Sequence, residues 1–379
     1  MAHIQKKRTT RKGKPITRWQ ARYRGPDWKE RSRLFDRRVD AERWLIGQEG
    51  RKLKGEWIDP EAGRTPVREW AEEWWRTVGH LRPSSRVRTE GILRKHVLPR
   101  FGDWPLASVI PTDVRAFVSD LHAAGLAPAT VRKTYDVFRA IMGAAEESNL
   151  IGRSPCVGVK LPKAISTEPR FLNPQELGAL ADAVPDRYRA LVLVGGYGGL
   201  RFGELVGLML PRIDFLRSRL MVVESIVEAG GHLYRGPTKT GPSRVVTLPR
   251  FVTEILAEHV MTYPPRDGEL VFTAPEGGPI RRSIWRARVW VDATERAKVH
   301  PLRIHDLRHT AAALAIKAGA HPKAIADRLG HASITTTLNT YGHLFPVLDE
   351  ELAERLDAMG RASAGGAAES VRARGNLSA

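Results

Sequence analysis

A stretch interrupted by prolines lies near the middle of the chain and limits what the chain can fold into. Residues 151–170 contain three prolines among small residues, which excludes a continuous helix or a central strand there: Pro155, Pro162 and Pro169. We therefore expect an extended linker over residues 153–170, with a domain on each side. The 379 residues are enough for two or three domains with buried cores.

The charge balance points to a polyanionic partner. The chain has 61 lysines and arginines against 42 acidic residues, a formal net charge of +19, and nucleic acid is the default partner for such an excess. A membrane surface is the competing interpretation. No apolar run approaches 18 residues and no signal-peptide pattern is found, so we expect neither membrane insertion nor secretion. The single cysteine, Cys156, cannot form an internal disulfide, which fits a reducing cytoplasm.

The first 60 residues predict a small module of sheet and helix with a basic surface. Residues 1–24 carry nine lysines and arginines and no acid, and the part before Thr17 lacks apolar periodicity, so we expect a flexible arm there. From Thr17 to Arg24 apolar and basic residues alternate, which indicates a strand. A second strand over residues 30–35 and a helix from Asp36 should follow. The basic face of the first strand offers candidates for DNA contacts, Arg18, Arg22 and Arg24, although charge alone could hold such a module to DNA.

Residues 64–152 predict a domain of four helices. Capping residues and prolines indicate helix starts at Thr65-Pro66, Thr112 and Pro128, with a further helix over residues 85–98. Gly125 would end the third helix. Apolar side chains at helical spacing predict the core: Val67, Trp70, Trp74, Val114, Phe117, Val118, Leu121, Val131, Tyr135, Phe138 and Met142. Basic residues that lie elsewhere on the last helix and in the linker are candidates for DNA contacts: Arg132, Lys133, Arg139, Lys160 and Lys163.

Residues 171–346 predict a mixed α+β domain. The Asn173, Pro174 and Glu176 pattern is a capping box at a helix start. Four glycines between residues 195 and 199 precede Arg201, and glycine lets the backbone approach a ligand closely.

The middle of this domain predicts a hairpin and two helices. Two β-branched stretches, residues 220–227 and 245–248, indicate a hairpin with its turn near Gly241. Helices are expected over residues 251–259 and 284–297. A basic cluster at the second helix predicts phosphate contacts: Arg281, Arg282, Arg286 and Arg288.

The densest set of chemically active side chains lies between His305 and His343. His305 and Arg308 are three residues apart, so a helix starting near Asp306 presents both at its N-terminal end, where an anion can bind. An arginine fork matches two phosphate oxygens at once. Tyr341 is the candidate nucleophile. Because a phenol loses its proton only near pH ~10, it needs a base or a strong positive field, which the histidines and arginines of this segment can supply.

A metal site is the alternative for this segment. His305 and His309 are spaced as a pair that can hold a metal ion on one helix face. No glutamate follows His305, however, and Arg308 would lie against the cation. We therefore favour phosphate chemistry and expect no metal and no cofactor. An isolated pair of histidine and arginine would be interpreted as a solvated helix face.

The motifs of this half resemble those of the tyrosine recombinase (phage integrase) family. The family's H-x-L-R-H-T, L-G-H and tyrosine boxes match His305 to Thr310, Leu329 to His331, and Tyr341. Its G-L-R-x-x-E-L box matches the segment from Gly199 to Leu205. The interval from His331 to Tyr341 is ten residues, one more than the commonest spacing in the family.

The resemblance implies a role for each matched residue. Tyr341 would form a 3′-phosphotyrosyl link to DNA, Arg201 and Arg308 would hold the phosphate oxygens, and Glu204 would orient the arginine and histidine shell. His305 would accept the tyrosine proton and His331 would donate a hydrogen bond to the phosphate. Lys239, in the T-K-T-G match, would protonate the leaving 5′-oxygen, with Arg244 as a weaker alternative. His309 would be structural.

The resemblance also implies a domain order and partners. It predicts an arm-binding module (1–60), a helical, SAM-like core-binding domain (64–152), the linker, a catalytic domain (171–346) and a C-terminal segment (347–379). An apolar stripe in that last segment would form a helix docking on the next protomer of a homotetramer: Leu348, Leu352, Leu356 and Met359. The expected partner is double-stranded DNA with core-type and arm-type attachment sites, and a DNA-bending host factor and an excisionase would fit.

Four functions are compatible with the sequence. The first is an integrase of a phage or mobile element, acting in the cytoplasm of a bacterial host at its nucleoid. A cellular, Xer-like recombinase that resolves chromosome or plasmid dimers is the main alternative, but it normally lacks an N-terminal module. A metal-dependent nuclease and a catalytically inactive DNA-binding regulator are the remaining two.

Overall fold

The computed structural model describes residues 2–11, 14–54, 57–59, 61–163, 169–238, 243–265 and 269–345, together with residues 356, 357 and 359. Contacts between residues divide the chain into two units, Met1–Thr167 and Glu168–Ala379. The turn predicted near Gly241, and most of the helix predicted after residue 347, lie outside the described residues.

An antiparallel sheet opens the first unit. Its strands follow the order β1 (His3–Arg11), β2 (Lys14–Arg24) and β3 (Glu30–Phe35), and helix α1 (Arg38–Leu53) packs on them. Ala21 and Tyr23 of β2 are buried, and the Tyr23 ring meets Trp44 of α1 edge to face at 5.3 Å between centroids. The apolar face predicted for β2 is therefore buried, and Gln20 on the opposite face is buried as well.

The start of this module differs from the prediction. Residues 3–11 were expected to be a flexible arm, but they form β1 and pair with β2 along their whole length. A strand at the edge of a sheet is held by backbone hydrogen bonds to its neighbour, so it needs no apolar periodicity of its own. Helix α1 also begins at Arg38 and not at Asp36, whose carboxylate accepts a hydrogen bond from Arg18 at 2.9 Å.

Helices follow in the same unit. They are α2 (Val67–Thr77), α3 (Pro83–Ile92), which continues through a π-helical turn (Leu93–Val97) into α4 (Leu98–Phe101), then α5 (Pro111–Ala123) and α6 (Pro128–Glu147). Short 3₁₀ turns cover Ala62–Arg64 and Leu106–Ser108. Every apolar residue predicted for this core is buried, and Phe101 stacks on Phe138 with centroids 4.6 Å apart.

Thr65 and Thr112 do not cap helices as predicted. Helix α2 begins at Val67, after Pro66, and α5 begins at Pro111, where the Asp113 carboxylate accepts a hydrogen bond from the backbone N–H of Ile110 at 3.0 Å. A proline in the first turn of a helix sacrifices no hydrogen bond, so the helix can start before Thr112.

The predicted linker is shorter than expected at its N-terminal end. Ser154 and Cys156 are buried against the helices. The Tyr135 hydroxyl donates to the backbone oxygen of Cys156 at 2.9 Å, and the Ser154 N–H donates to the Glu146 carboxylate at 3.1 Å. Burial also raises the pKa of the Cys156 thiol to about 11, which makes it unreactive.

The second unit is built around a helix that is buried on most of its faces. The helices α7 (Pro174–Ala183), α8 (Asp186–Gly198) and α9 (Phe202–Val206) come first. The capping box predicted at Asn173 is present: Asn173 and Glu176 exchange hydrogen bonds with each other's backbone N–H at 2.8 and 2.9 Å. Helix α8 runs through the core and packs against α7 and against α10 and α13, defined below.

Strands and further helices complete this unit. The strands are β4 (Ile213–Asp214), β5 (Arg219–Val222), β6 (Glu224–Ala229), β7 (His232–Pro237) and β8 (Arg244–Thr247). The helices are α10 (Arg250–Thr262), α11 (Arg282–Trp285), a π-helical turn (Arg286–Trp290), α12 (Val291–Arg296), α13 (Asp306–Lys317), α14 (Pro322–Leu329) and α15 (Ile334–Tyr341). Short 3₁₀ turns cover Leu210–Arg212 and Gly342–Leu344.

The predicted pairing of residues 220–227 with residues 245–248 is confirmed for residues 220–222, but the two stretches do not form a simple hairpin, because a second hairpin lies between them. The first β-branched stretch breaks at Val223, so that β5 pairs with β4 and β8, whereas β6 pairs with β7. The turn of the β6–β7 hairpin contains Gly230 and Gly231, with φ of 57° and 78°. Two glycines with positive φ are what a tight hairpin turn requires, and this pair was a stronger signal than Gly241.

The predicted fold class, helices with small sheets in several domains, is confirmed. Within the described ranges, no helix combines the length and the apolarity that crossing a bilayer requires.

Replacing Phe138 by alanine tests the core of the first unit. Phe138 is fully buried between Phe101 and Phe117, so Phe138→Ala should lower the free energy of unfolding of this unit by about 3–5 kcal/mol. Urea denaturation followed by tryptophan fluorescence measures the change. Arg132→Ala, at an exposed position of the same helix, is the control, and a loss below ~1 kcal/mol for Phe138→Ala would contradict this packing.

Candidate active site

Arg201 follows a glycine-rich turn. Helix α8 ends before Gly199, whose φ of 72° lies in the left-handed region that glycine adopts without strain. A Cβ atom there would lie 2.6 Å from Leu329 Cδ2, so the close packing of the turn on α14 also requires glycine. Arg201 lies two residues later, at the N-terminus of α9.

Glu204 is a buried carboxylate that two arginines share. Arg201 Nη1 donates to one of its oxygens at 2.9 Å, and Arg244, at the start of β8, donates to both at 3.2 and 2.7 Å. The Glu204 side chain is 1% exposed and that of Arg244 is 9% exposed. Burial by itself would raise the pKa of Glu204, but the hydrogen bond and charge of Arg244, together with Arg201, hold it below its ordinary value.

Arg308 is a cation held almost wholly out of water, with 2% of its surface exposed. Its guanidinium donates to the backbone oxygens of Gly199, at 2.7 Å, and of Leu329. Burial, followed by the positive charges of Arg201 and Arg244, lowers the pKa of Arg308 to about 9 despite the opposing charge of Glu204. A cation in such surroundings is stabilised when an anion binds beside it, so the cluster is suited to a phosphate group.

Two neutral imidazoles lie near these arginines. His305 is the N-cap of α13 and remains exposed on one side, and His331 follows Gly330, which ends α14 with a φ of 66°. His331 Nδ1 lies 2.8 Å from the Thr337 hydroxyl. Partial burial and nearby positive charges lower the pKa of each histidine to about 4, so both are uncharged at neutral pH. For His305 those charges are on Arg308 and Arg201, while protonation of the neighbouring His309 would oppose that of His305, and for His331 the largest charge is on Arg308.

Tyr341 is the last residue of α15 and is 1% exposed. Its hydroxyl lies 2.8 Å from His309 Nδ1, and the two rings meet edge to face with centroids 5.7 Å apart. Burial raises the pKa of Tyr341 to about 12, although the charge of Arg308 acts in the opposite direction. The nucleophile predicted from the sequence is thus a protonated phenol near Arg308, in contact with an imidazole.

The structure brings together most of the predicted catalytic residues. Arg201, Glu204, His305, Arg308, His331 and Tyr341 belong to one cluster. Arg201 binds Glu204, and Arg308 binds backbone oxygens two residues before Arg201 and two residues before His331, while His309 contacts both His305 and Tyr341. Lys239 lies outside the described residues. The ten-residue interval between His331 and Tyr341 is largely occupied by α15.

Two residues of the cluster were given lesser roles by the sequence. Arg244 was an alternative to Lys239 and instead binds Glu204, 40 residues away. His309 was expected to be structural, and its Nδ1 contacts the Tyr341 hydroxyl, 32 residues away. Their only sequence signals were the position of Arg244 at the start of a β-branched stretch and that of His309 directly after Arg308.

The metal alternative gains no support from the cluster. The rings of His305 and His309 meet edge to face, with centroids 5.0 Å apart. Among the described residues, no group of three or more histidine, cysteine or acidic side chains is arranged to hold a metal ion.

A cavity of about 230 Å³ opens beside this cluster. Arg201 and His305 line one part of it, and Arg282, a predicted DNA contact, lines another. Its remaining wall is mostly apolar, with Ile226 and Ile304 among the lining residues. The cavity therefore offers space for an anion beside Arg201 and Arg282, although the Glu228 carboxylate also lines it.

The other candidate DNA contacts fall into two classes. Some are engaged with acceptors in the protein: Arg18 with Asp36 at 2.9 Å, Arg22 with Glu30 at 2.8 Å, Arg139 with Asp136 at 3.6 Å, and Arg281 with the backbone oxygen of Gly231 at 2.7 Å. Others are simply exposed: Arg24, Arg132, Lys133, Lys160 and Lys163. Exposed ion pairs contribute only ~0–1 kcal/mol, so Arg18, Arg22 and Arg139 can exchange a carboxylate for a phosphate at little cost.

Replacing Glu204 by glutamine tests the shared carboxylate. Removing one partner from a buried ionic group leaves the others uncompensated, so Glu204→Gln should lower the free energy of unfolding by about 3–5 kcal/mol at pH 7. Because the pKa of Glu204 is lower in the folded state than its ordinary 4.5, the stabilisation is complete above pH 4.5 and is lost as the pH falls through the folded value.

Thermal unfolding of wild type and Glu204→Gln between pH 3 and 8 measures this difference. The gap should be constant near neutral pH and shrink in acid. Glu254→Gln, which breaks an exposed pair with Arg250 at 3.8 Å, is the control and should change stability by less than ~1 kcal/mol. A gap that grows in acid would contradict the ionised state assigned to Glu204.

Models of known families match each part of the chain. The phage integrase family matches residues 170–346, the phage integrase N-terminal SAM-like domain matches residues 67–122, and the phage integrase N-terminal domain matches residues 15–55. The first match covers the cluster around Arg308, the second covers α2 to α5, and the third covers most of β2 together with β3 and α1.

Relatives extend the similarity over nearly the whole chain. The integrase of Mycobacterium phage FRAT1 is 30% identical over 337 residues, which cover 85% of this chain and 98% of that protein. A prophage integrase (phiRv2) of Mycobacterium tuberculosis is 29% identical over 355 residues, covering 90% and 93%. Among solved structures, a Tn1549 transposon integrase bound to circular intermediate DNA has a TM-score of 0.67 at 19% identity, covering 77% of this chain and 99% of that one.

A lambda integrase dimer bound to a core site shares the fold as well, with a TM-score of 0.59 at 17% identity over 85% of this chain and 91% of that one. The fold, the family models and the near full-length relatives agree with the motifs around Tyr341. The chain belongs to the phage integrase family and is a tyrosine recombinase of the phage type.

Proposed function

We propose that this recombinase cuts and rejoins DNA at attachment sites through a 3′-phosphotyrosyl intermediate, and so integrates and excises a phage or a related mobile element. The observation that carries the proposal is the cluster around Arg308. There a buried tyrosine in contact with an imidazole lies near guanidinium groups that share one carboxylate. Such a site favours a phosphodiester and supplies a nucleophile for it.

In the proposed reaction, Tyr341 Oη attacks the scissile phosphorus and the 5′-oxygen leaves. Arg201 and Arg308 hold the non-bridging oxygens as negative charge builds up, and losing one such donor costs about 3 kcal/mol of transition-state stabilisation. His331 donates a further hydrogen bond to the phosphate. Glu204 holds Arg201 in place, as its hydrogen bond at 2.9 Å supports.

Proton transfers complete the scheme. Lys239 is proposed as the acid that protonates the leaving 5′-oxygen, and a neutral imidazole accepts the tyrosine proton. Each such transfer accelerates a reaction by about 10²- to 10⁴-fold. Because the phosphotyrosyl link keeps the energy of the phosphodiester, a 5′-hydroxyl can reverse the step without a metal ion or a nucleotide cofactor.

The domains divide the work of binding in this proposal. Residues 1–60 bind arm-type sites, residues 64–152 bind the core site, the segment up to residue 170 links them to the catalytic domain (171–346), and residues 347–379 join protomers. Two features support the first assignment: the basic residues of β2 and the match of residues 15–55 to a phage integrase N-terminal domain. The same module favours an integrase over an Xer-like recombinase.

DNA is the partner that the charge and the family both indicate. The finer assembly is a proposal: a homotetramer that brings two attachment sites together, assisted by a DNA-bending host factor and an excisionase. Relatives of known structure are described as a dimer on a core site and as a tetramer on a Holliday junction, both for lambda integrase.

Replacing Tyr341 by phenylalanine tests the nucleophile. Tyr341→Phe removes only the hydroxyl, so binding to an attachment-site duplex should be unchanged while the covalent adduct on a nicked suicide substrate disappears. Adducts are measured by denaturing gel electrophoresis, and binding by mobility shift. Tyr197→Phe, elsewhere in the same unit, is the control and should still form the adduct.

Other outcomes separate the alternative functions. An adduct that persists in Tyr341→Phe would exclude this residue as nucleophile. Cleavage that EDTA abolishes would indicate a metal-dependent nuclease, and binding without any adduct in the wild-type protein would indicate a regulator.

Removing residues 347–379 tests the proposed junction between protomers. The shortened chain should bind a single core site but fail to form a tetramer on two sites, because the apolar stripe that includes Leu352 would be missing. Light scattering of the DNA complexes measures the assembly. Removing only residues 362–379, which lie beyond the stripe, is the control and should leave the tetramer intact; tetramer formation without residues 347–379 would refute this role.

A further inference from the structure

We propose that His309, and not His305, is the base that takes the proton from Tyr341 during DNA cleavage. The inference rests on the proposed function, because it needs Tyr341 as the nucleophile. It assigns a catalytic role to His309, for which the resemblance to the family implied only a structural role.

The first observation is the contact itself. His309 Nδ1 lies 2.8 Å from Tyr341 Oη, a distance suited to direct proton transfer. Both residues are held firmly: Tyr341 is 1% exposed, its ring also packs near Phe171 with centroids 6.5 Å apart, and His309 lies in the first turn of α13. The geometry is therefore built into the fold before DNA arrives.

The second observation is the surroundings of the imidazole. The charged and titratable groups that act on His309 are Asp306, Arg303 and Arg308, and the rings of His305 and Tyr341 lie against it. Burial is the largest effect and, with the two arginines, it lowers the pKa of His309, while Asp306 acts in the opposite direction. An imidazole that is neutral at physiological pH has a free lone pair for the tyrosine proton.

The binding of DNA strengthens this base. A phosphate beside Arg308 brings negative charge close to the imidazole, and a nearby negative charge favours the protonated form of histidine. The Asp306 carboxylate, 2% exposed and paired with Arg303 at 2.7 Å, is fixed in the same turn of helix and favours the imidazolium too. His309 is thus neutral in the free protein and more ready to accept a proton once DNA is bound.

The step balances without any further reactant. The Oη–H bond of Tyr341 breaks and its proton moves to His309 Nδ1, while a new bond forms between Oη and phosphorus. The bond between phosphorus and the 5′-oxygen breaks, and that oxygen takes a proton from the acid assigned to Lys239. When a 5′-hydroxyl attacks the phosphotyrosine, the imidazolium returns its proton to the departing phenolate.

His309→Asn separates proton acceptance from positioning. The asparagine side-chain oxygen can occupy the place of Nδ1 and accept a hydrogen bond from Tyr341, but it cannot take the proton. We expect adduct formation in single-turnover reactions on a nicked attachment-site substrate to slow by about 10²- to 10⁴-fold near pH 7.5, with unchanged DNA binding. The rate should then rise steadily with pH, because hydroxide must remove a proton whose pKa is about 12.

Three matched variants complete the experiment. His309→Ala should be as slow as His309→Asn and should recover part of its rate in added imidazole. His305→Asn should keep the pH profile of the wild-type protein, whatever its rate. His343→Asn, at an exposed position two residues after the nucleophile, should behave as wild type.

The outcomes distinguish this inference from the proposed function. A wild-type protein that forms no adduct would defeat the proposed function itself. An active wild-type protein with His309→Asn at full rate would overturn the role of His309 alone. A steadily rising pH profile in His305→Asn but not in His309→Asn would assign the base to His305.

Discussion

The second unit depends on positive charge that is held out of water with too few anions to balance it. Arg201, Arg244 and Arg308 lie around a single buried carboxylate, Glu204, and the lowered pKa of Arg308 records the cost of this arrangement. Buried charges are tolerated when hydrogen bonds satisfy them, and backbone oxygens of Gly199, Arg328 and Leu329 do so here. The site is therefore stable enough to fold, yet it is stabilised further by an anion.

This constraint explains several local features of the fold. Gly199 and Gly330 end the two helices that supply those backbone oxygens, and both adopt left-handed φ values. A Cβ atom at Gly330 would lie 3.1 Å from the Arg244 side chain, so the glycine before His331 also makes room for the arginine that binds Glu204. The G-L-R and L-G-H motifs thus belong to one packing arrangement, because Gly199 and Gly330 each let the backbone approach an arginine side chain closely.

Whether a feature of the fold or the site could be predicted depends on how far apart in the sequence the interacting residues are. Local signals succeeded: the capping box at Asn173, the start of α6 at Pro128 and the burial of Phe138 follow from residues only a few positions apart. Several contacts between residues far apart in the sequence were not predicted. No local pattern links Arg244 to Glu204 or His309 to Tyr341, and the β6–β7 hairpin inserted between β5 and β8 depends on a break at Val223 that alternation alone does not reveal.

The burial of Tyr341 explains why a base should matter so much here. Positive charge from Arg308 lowers the pKa of the phenol, but a bound phosphate neutralises that charge and so removes this help as the reaction begins. The same phosphate makes a neighbouring imidazole more basic. Once DNA is in place, transfer of the Tyr341 proton to water therefore becomes harder, and transfer to His309 becomes easier. Without DNA the buried phenol stays protonated and inert.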